Sequence, residues 1–378
     1  MSFTDLIVRI SPISLFNKSS YKYAFIVHSR SIDDVYNQYP FLKKIPGYFV
    51  DLFAKYHWPI TLSKITGLKS QKTGIPITGW IIAIPMTPRQ MIENRGVALK
   101  RIILAIKLAE KKGAKIIGLG ALTSSLSKGG LDLLGRTGVG ITTGHAYTAY
   151  IVTQNVIRLT NIFESDKNKI TVAVVGAIGS IGATTSKILA REGYKNIILI
   201  DLETKKARFP ELINEMKKIQ PNIKISISHK IKDIKVADYI ITATNAPEVL
   251  IKADDLKSGA VVVDDAQPSD VHPEVLDRED VLVVEAGIVY TPKIDNHFDF
   301  GLKNKHDNFC CLGEVLILAS NEWKGHYVID RASLDLVDQI SKAGEKLNFR
   351  LGDFQNFKEK ISEEKIATMK RTIKLWNS

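Results

Sequence analysis

Short runs of β-branched and aliphatic residues alternate with amphipathic stretches through the middle of the chain. Ile170-Thr-Val-Ala-Val-Val-Gly176 has the pattern of a buried strand that stops at glycine. It leads into Gly176-Ala-Ile-Gly179-Ser-Ile-Gly182, and then into a helical stretch closed by Gly193. Asn196-Ile-Ile-Leu-Ile-Asp201 reads as a second strand, ending in an acid. Further strands are expected at residues 223–229, 238–244, 260–265 and 281–286, with helix over 203–219. Strands alternating with helices at this spacing predict an α/β fold with a doubly wound parallel sheet of the Rossmann type.

The first 140 or so residues read as a smaller α/β unit. Strands are expected at 23–28, 78–85 and 115–118, and one long helix from Pro88 to Gly113, with proline in its first turn and glycine at its end. Thr143-Gly-His-Ala-Tyr-Thr-Ala-Tyr150 opens a helix running to about Phe163. Helices are expected again at 309–320, 334–347 and 358–375. The resulting division is a substrate domain over 1–150, a dinucleotide-binding domain over 151–300, and a helical segment over 301–378 that packs back. No internal repeat or low-complexity linker interrupts it.

Composition changes this picture little. Of 378 residues, 45% are hydrophobic and 24% charged, as in ordinary globular proteins and unlike disordered or fibrous ones. No apolar run nears the roughly 20 residues that span a bilayer, and the N-terminus lacks the pattern of a secretion signal. The two cysteines, Cys310 and Cys311, are adjacent, so no disulfide closes a long loop. A reducing cytoplasm is the expected compartment, and no structural metal site is expected. The 52 basic against 40 acidic residues give +12, mostly scattered lysines without an Arg-rich tract, which argues against a nucleic-acid partner.

The glycines carry the first chemistry. A strand turning tightly into a helix needs residues without Cβ at the turn, where backbone meets pyrophosphate, and where helix packs on strand. Free N–H groups and the positive end of the helix dipole then hold the phosphates. The spacing is G-x-x-G-x-x-G, and an acid ends the next strand about twenty residues on. Dinucleotide binding is therefore expected at Gly176, Ile178, Gly179, Ser180, Ile181, Gly182, Asp201 and Thr244. A carboxylate at Asp201 accepts from ribose hydroxyls and repels a 2′-phosphate, favouring NAD(H) over NADP(H), although Lys205 and Lys206 offset that repulsion.

Asn308-Phe-Cys-Cys-Leu-Gly-Glu314 opens a mostly apolar helix in which Cys311 and Glu314 share a face. A thiol near a helix N-terminus has a lowered pKa. Cys311 is thus a candidate acyl acceptor, with Glu314 as proton acceptor or orienting group. The alternative reading makes both cysteines small hydrophobes of a buried helix. His145 is a candidate general acid at the start of the helix entering the nucleotide domain, with Tyr147 and Thr148 as further donors. His297 and His306 read as surface residues.

Gly120-Ala-Leu-Thr-Ser-Ser125, Thr142-Thr-Gly-His-Ala-Tyr-Thr-Ala-Tyr150, the glycine motif and Phe309-Cys-Cys-Leu-Gly-Glu-Val-Leu316 together resemble the aldehyde-forming long-chain fatty acyl-carrier-protein reductases, over roughly residues 20–350. The resemblance implies a cysteine, here Cys311, that takes an acyl group from acyl-carrier protein or acyl-CoA. Hydride from the nicotinamide then releases an aldehyde. This chain departs from the family at His145, where Asn is common, at Tyr147, where His is common, and at Asp201-Leu202, where an Arg suited to NADPH is typical. The reading is an NAD(P)H-dependent acyl-thioester reductase whose positive charge favours an acidic carrier. It leaves peripheral membrane contact and a homo-oligomer open. Its rivals are an alcohol, hydroxy-acid or amino-acid dehydrogenase of the shikimate-dehydrogenase type and a non-catalytic dinucleotide binder.

Overall fold

The computed structural model describes Asp5, residues 21–246 and residues 248–377. Two sheets organise it. The first joins β1 (Lys22–His28), β2 (Ile60–Ile65), β3 (Thr78–Ile84), β4 (Ile116–Leu119) and β5 (Gly140–Thr142) in the order β2-β3-β1-β4-β5. Only β2 runs antiparallel to its neighbour. The second joins β6 (Thr171–Val175), β7 (Asn196–Ile200), β8 (Lys224–Ser228), β9 (Tyr239–Thr242), β10 (Val261–Asp264) and β11 (Leu282–Glu285), all parallel, in the order β11-β10-β9-β6-β7-β8. This is the expected doubly wound Rossmann-type order, with the chain reversing direction across the sheet beside β6.

Alternation along each strand feeds two cores. Tyr23, Phe25 and Ile81 face one side of the first sheet, and Ala24, Ile26 and Ile82 the other. In the second sheet Val172 and Val174 take one face, Ala173 and Val175 the opposite one. Both faces of both sheets are covered, which is why their strands read as nearly continuous apolar runs.

Among the helices before the second sheet are α1 (Ile32–Gln38), α2 (Gly47–Tyr56), α3 (Pro88–Glu93), α4 (Arg95–Lys111), α5 (Leu122–Leu126) and α6 (His145–Ile162). Ala98, Ile102, Ala105 and Ile106 make the buried stripe of α4. The single helix expected from Pro88 to Gly113 is broken at Asn94, which leaves helical geometry at φ −125° and ψ 49°. Its side chain returns to the Gln90 carbonyl at 3.1 Å and accepts from Lys55 Nζ at 2.6 Å, giving the backbone an alternative to the helix ladder. Both α1 and α2, with β2, fall in a stretch for which no element was expected.

Around the second sheet lie α7 (Ser180–Arg191) and α8 (Phe209–Ile219). A 3-10 segment over Glu203–Arg208 replaces the first part of the helix expected from 203. Near the end come α9 (Cys310–Ser320), α10 (Leu334–Lys346) and α11 (Glu363–Asn377). The helix expected from 358 begins later because Ser362 Oγ caps it, accepting from Lys365 N at 3.1 Å. A small antiparallel sheet of β12 (Ile288–Tyr290), β13 (Asp307–Phe309) and β14 (Arg350–Leu351) was not expected.

The segment 301–378 does not stand by itself. Leu312, Val315 and Leu316 of α9 and Val337 and Ile340 of α10 complete the core on one face of the first sheet, while Met369 and Ile373 of α11 join the core of the second. Helix α9 is buried nearly all round. Helix α6 bridges the two halves: Ala146 and Ala149 belong to one core, Val152 and Val156 to the other.

Candidate active site

The C-terminal ends of both sheets open onto one cavity of about 990 Å³. Residues following β1, β3, β4 and β5 wall one side, and those following β9, β10 and β11 the other. Parallel α/β sheets bind ligands at this edge. Asn245 Nδ2 donates to Ser125 Oγ across it at 2.9 Å. Cys311, His145, Gly179, Ser180, Ile181 and Thr244 all line this cavity. Glu314, Tyr147, Gly176, Ile178, Gly182 and Asp201 do not.

The glycine turn is built as its chemistry requires. Gly176 stands at φ +80°, and a Cβ there would lie 2.5 Å from the Ala243 carbonyl oxygen. A Cβ on Gly182 would lie 2.3 Å from the Gly176 oxygen. Thus Gly176 and Gly182 let helix, strand and turn close together, while Gly179 begins α7 at the cavity wall. No side chain caps α7, so its first amides and its positive end face the space. These residues fit a pyrophosphate.

Asp201 departs from expectation. Its Oδ2 accepts from Ile178 N at 2.9 Å; its Oδ1 accepts from Leu202 N at 2.8 Å and pairs with Lys205 Nζ at 2.9 Å. The side chain is 3% exposed. With Oδ1 saturated, the carboxylate pins the glycine turn and keeps a single lone pair for any outside donor. Thr244 Oγ1 donates to Asp270 at 2.7 Å.

The thiol site is equally tight. Gly144, at φ +82°, ends the turn between β5 and α6, and a Cβ on it would lie 2.4 Å from Cys311 Cβ. Ala121 holds φ 46° and ψ −130°, a conformation that favours glycine, and its N–H points at Cys311. The amides of Ala121, Cys311 and Leu312 favour the thiolate, as a helix N-terminus should. Burial, followed by the charge of Asp265, overrides them and pushes the Cys311 thiol up to about 12. The lowered pKa expected from the sequence is therefore reversed. Cys310 is buried, and its thiol is raised as well.

Glu314 is fully buried behind Cys311. It accepts from Thr142 Oγ1, from Gly144 N at 3.1 Å and from Tyr147 N at 2.9 Å. Burial raises its carboxyl to about 6 despite those bonds. Through these bonds Glu314 staples α9 to the start of α6.

His145 lies between Ser124 Oγ, 3.2 Å from Nε2, and the Asp330 carbonyl, 3.4 Å from Nδ1. Burial lowers its pKa to about 4, so the ring is neutral near pH 7 and is no imidazolium acid there. The Tyr147 ring packs in the core against Gly313 and Gly344, which excludes it from the cavity. Thr148 reaches the wall. His297 is exposed as expected, whereas His306 is half-buried, 3.2 Å from the Ile294 carbonyl and edge-on to Tyr290.

An acidic floor escaped the sequence reading. Asp265 and Glu285 line the cavity, with Asp264 and Asp270 beneath. Asp264 accepts from Thr242 Oγ1, Ala266 N and Ser269 Oγ. Burial brings Asp270 and Glu285 each to about 7. The signal was present in Asp264-Asp265 at a strand's C-terminal end, where α/β ligands bind. Among the described residues, no group of three or more His, Cys, Asp or Glu is placed to hold a metal ion, and no helix is long and apolar enough to cross a membrane.

Residues 159–286 match the family model of shikimate / quinate 5-dehydrogenase. The chain is 24% identical over 333 residues to the aminotransferase PigE of a Serratia species, covering 86% of this chain but only 38% of PigE. It is 25% identical over 300 residues to a long-chain acyl-[acyl-carrier-protein] reductase of Synechococcus elongatus, covering 74% and 84% of the two chains. Quinate dehydrogenase from Corynebacterium glutamicum in complex with NAD superposes at a TM-score of 0.35 and 14% identity, over 87% of this chain and 99% of that one. The chain carries a nicotinamide-dinucleotide fold of the NAD(P)-dependent oxidoreductase type.

Proposed function

We propose that this protein is an NAD(P)H-dependent acyl-thioester reductase that forms an aldehyde through an acyl group on Cys311. One observation supports it above the others: the Cys311 thiol and the first turn of α7 share a single cavity. The amides of Ser180 and Ile181 would hold the pyrophosphate, with Gly179 leaving room for it and Thr244 beside them. A nicotinamide bound there supplies a hydride. Leu202, 65% exposed, offers no cation to a 2′-phosphate, and Lys205 is tied to Asp201, so NAD(H) is the favoured cofactor.

Cys311 attacks the thioester carbonyl, which divides the reduction into two easier steps. The amides of Ala121, Cys311 and Leu312 stabilise the oxyanion that forms. Neutral His145 lends its ring to the same wall. Phe25, Val27, Leu62, Phe298, Phe300 and Phe309 form an apolar end suited to an acyl chain. Arg30, Lys128 and Arg208 line the cavity as cations for the phosphates of coenzyme A or an acidic carrier protein. Incubation with acyl-CoA and acyl-carrier-protein thioesters should give an intact-mass adduct at Cys311, discharged as aldehyde when NADH is added. Turnover unaffected by Cys311→Ala defeats the proposal.

The family match over residues 159–286 favours a second reading, an alcohol or hydroxy-acid dehydrogenase. That enzyme would oxidise a small alcohol with NAD and tolerate alkylation of Cys311.

A further inference from the structure

Asp265 immediately follows β10 and turns its carboxyl into the cavity that holds Cys311. Asp264 beside it accepts three hydrogen bonds and Glu285 accepts one from Gln267 Nε2, but among the described residues no group hydrogen-bonds the Asp265 carboxyl. Its seat is Gly287, where a Cβ would come 2.4 Å from Oδ1. The carbonyl of Gly287 in turn accepts from Cys310 N at 2.9 Å, at the first residue of α9. One bare glycine therefore joins the carboxyl to the helix end that presents Cys311.

We infer that Asp265 is the proton shuttle for acyl transfer at Cys311: the neutral carboxyl accepts the thiol proton on one oxygen and donates its own proton to the departing sulfur from the other. The inference rests on Cys311 being the acyl acceptor. The two transfers are one exchange: as the Sγ–C bond forms and the Cys311 S–H bond breaks, one carboxyl oxygen takes that proton while the other gives its own to the thioester sulfur, so the carboxyl never holds two protons. The C–S bond then breaks with its electron pair and that proton on the departing thiol. The carboxyl ends neutral, and no oxidant or reductant enters. The groups facing Asp265 are Asp264 at the end of β10, Asp270 of the loop that follows, Glu285 of β11, and Cys310 and Cys311 of α9. Burial, with the charges of Asp264, Glu285 and Asp270, holds its proton well above the usual carboxylate range. His145 cannot serve as well, because both its ring nitrogens are already engaged.

The test needs no nucleotide. Wild type and Asp265→Asn are mixed with the N-acetylcysteamine thioester of a long-chain acid from about pH 6 to about pH 9, and acylation is timed by intact mass. Asp265→Asn should acylate ~10²-fold more slowly or worse throughout that range. Iodoacetamide alkylation of Cys311 requires no proton for a leaving sulfur, so it should be as fast in the variant or faster. Acylation within ~3-fold of wild type across the range overturns the shuttle, as does loss of acylation and alkylation together, which marks a structural role. A wild-type protein that takes up no acyl group overturns the reading of Cys311 itself, and that result is visible before any variant is made.

Discussion

Replacing Gly144 by alanine perturbs the seat of the thiol with one methyl group. Gly144 lies at φ +82°, and left-handed backbone costs a residue with a Cβ roughly 1–2 kcal/mol. The new Cβ would sit 2.4 Å from Cys311 Cβ and 2.5 Å from its Cα, whereas ordinary contact begins near 3.4 Å. The turn and α9 must therefore separate by about 1 Å (3.4 − 2.4), and overpacking of that size costs ~1–3 kcal/mol. The two contributions sum to about 2–5 kcal/mol of lost stability. A misplacement near 1 Å at a reacting group also slows chemistry by ~10². Gly193→Ala is the matched control, since Gly193 has φ +91° with nothing within 4 Å of its would-be Cβ. It should lose only the backbone contribution and acylate normally. Denaturant unfolding and timed intact-mass acylation read both quantities. If Gly144→Ala proves no less stable than Gly193→Ala and acylates at the wild-type rate, the tight seat has no consequence and the reasoning fails.

Three further outcomes follow from the same geometry. With its thiol at about 12, Cys311 should react with iodoacetamide at neutral pH ~10-fold or more slowly than an ordinary cysteine, the thiolate deficit outweighing its greater intrinsic nucleophilicity; labelling at the rate of free cysteine contradicts the burial argument. Glu314 is raised from 4.5 to about 6, so the folded state holds its proton more tightly: its contribution is complete below about pH 4.5 and is lost as pH rises through about 6. Glu314→Gln should remove ~2 kcal/mol of that decline, measured as the pH dependence of the stability difference from wild type. Leu202→Arg supplies a charge-assisted donor worth ~1.5–3 kcal/mol to a 2′-phosphate and should raise NADPH affinity relative to NADH by ~10-fold or more in a binding titration. An unchanged ratio indicates that residue 202 does not face the ribose.

Much of the second sheet was legible because each strand is a self-contained apolar run bounded by turn residues. β6 through β11 lie within the expected stretches to within two residues at either end. The glycine turn was legible for the same local reason, since Gly176 and Gly182 are demanded by backbone contacts within the turn and to the next strand. The stretch from residue 32 to 65 was not, because α2 exposes Tyr48, Phe49 and Leu52, and a helix with aromatics on its solvent side has no clear polar face to read. β12, β13 and β14 are too short to leave a period.

Residue order alone determined the sheet-and-helix alternation, the strand that ends at the glycines, and the helix that begins at Cys310, because backbone preference and apolar period act over a few neighbours. Only tertiary structure decided what those side chains do. It buried Glu314 under the start of α6, turned Asp201 inward onto Ile178 N, sent Tyr147 into the core and brought Asp265 to Cys311, forty-six residues away along the chain. Electrostatic environment depends on every charge and solvent-excluding surface within several ångströms, whatever its place in the chain. A thiol that local rules make acidic is therefore made weakly acidic by burial and by a carboxyl from another sheet.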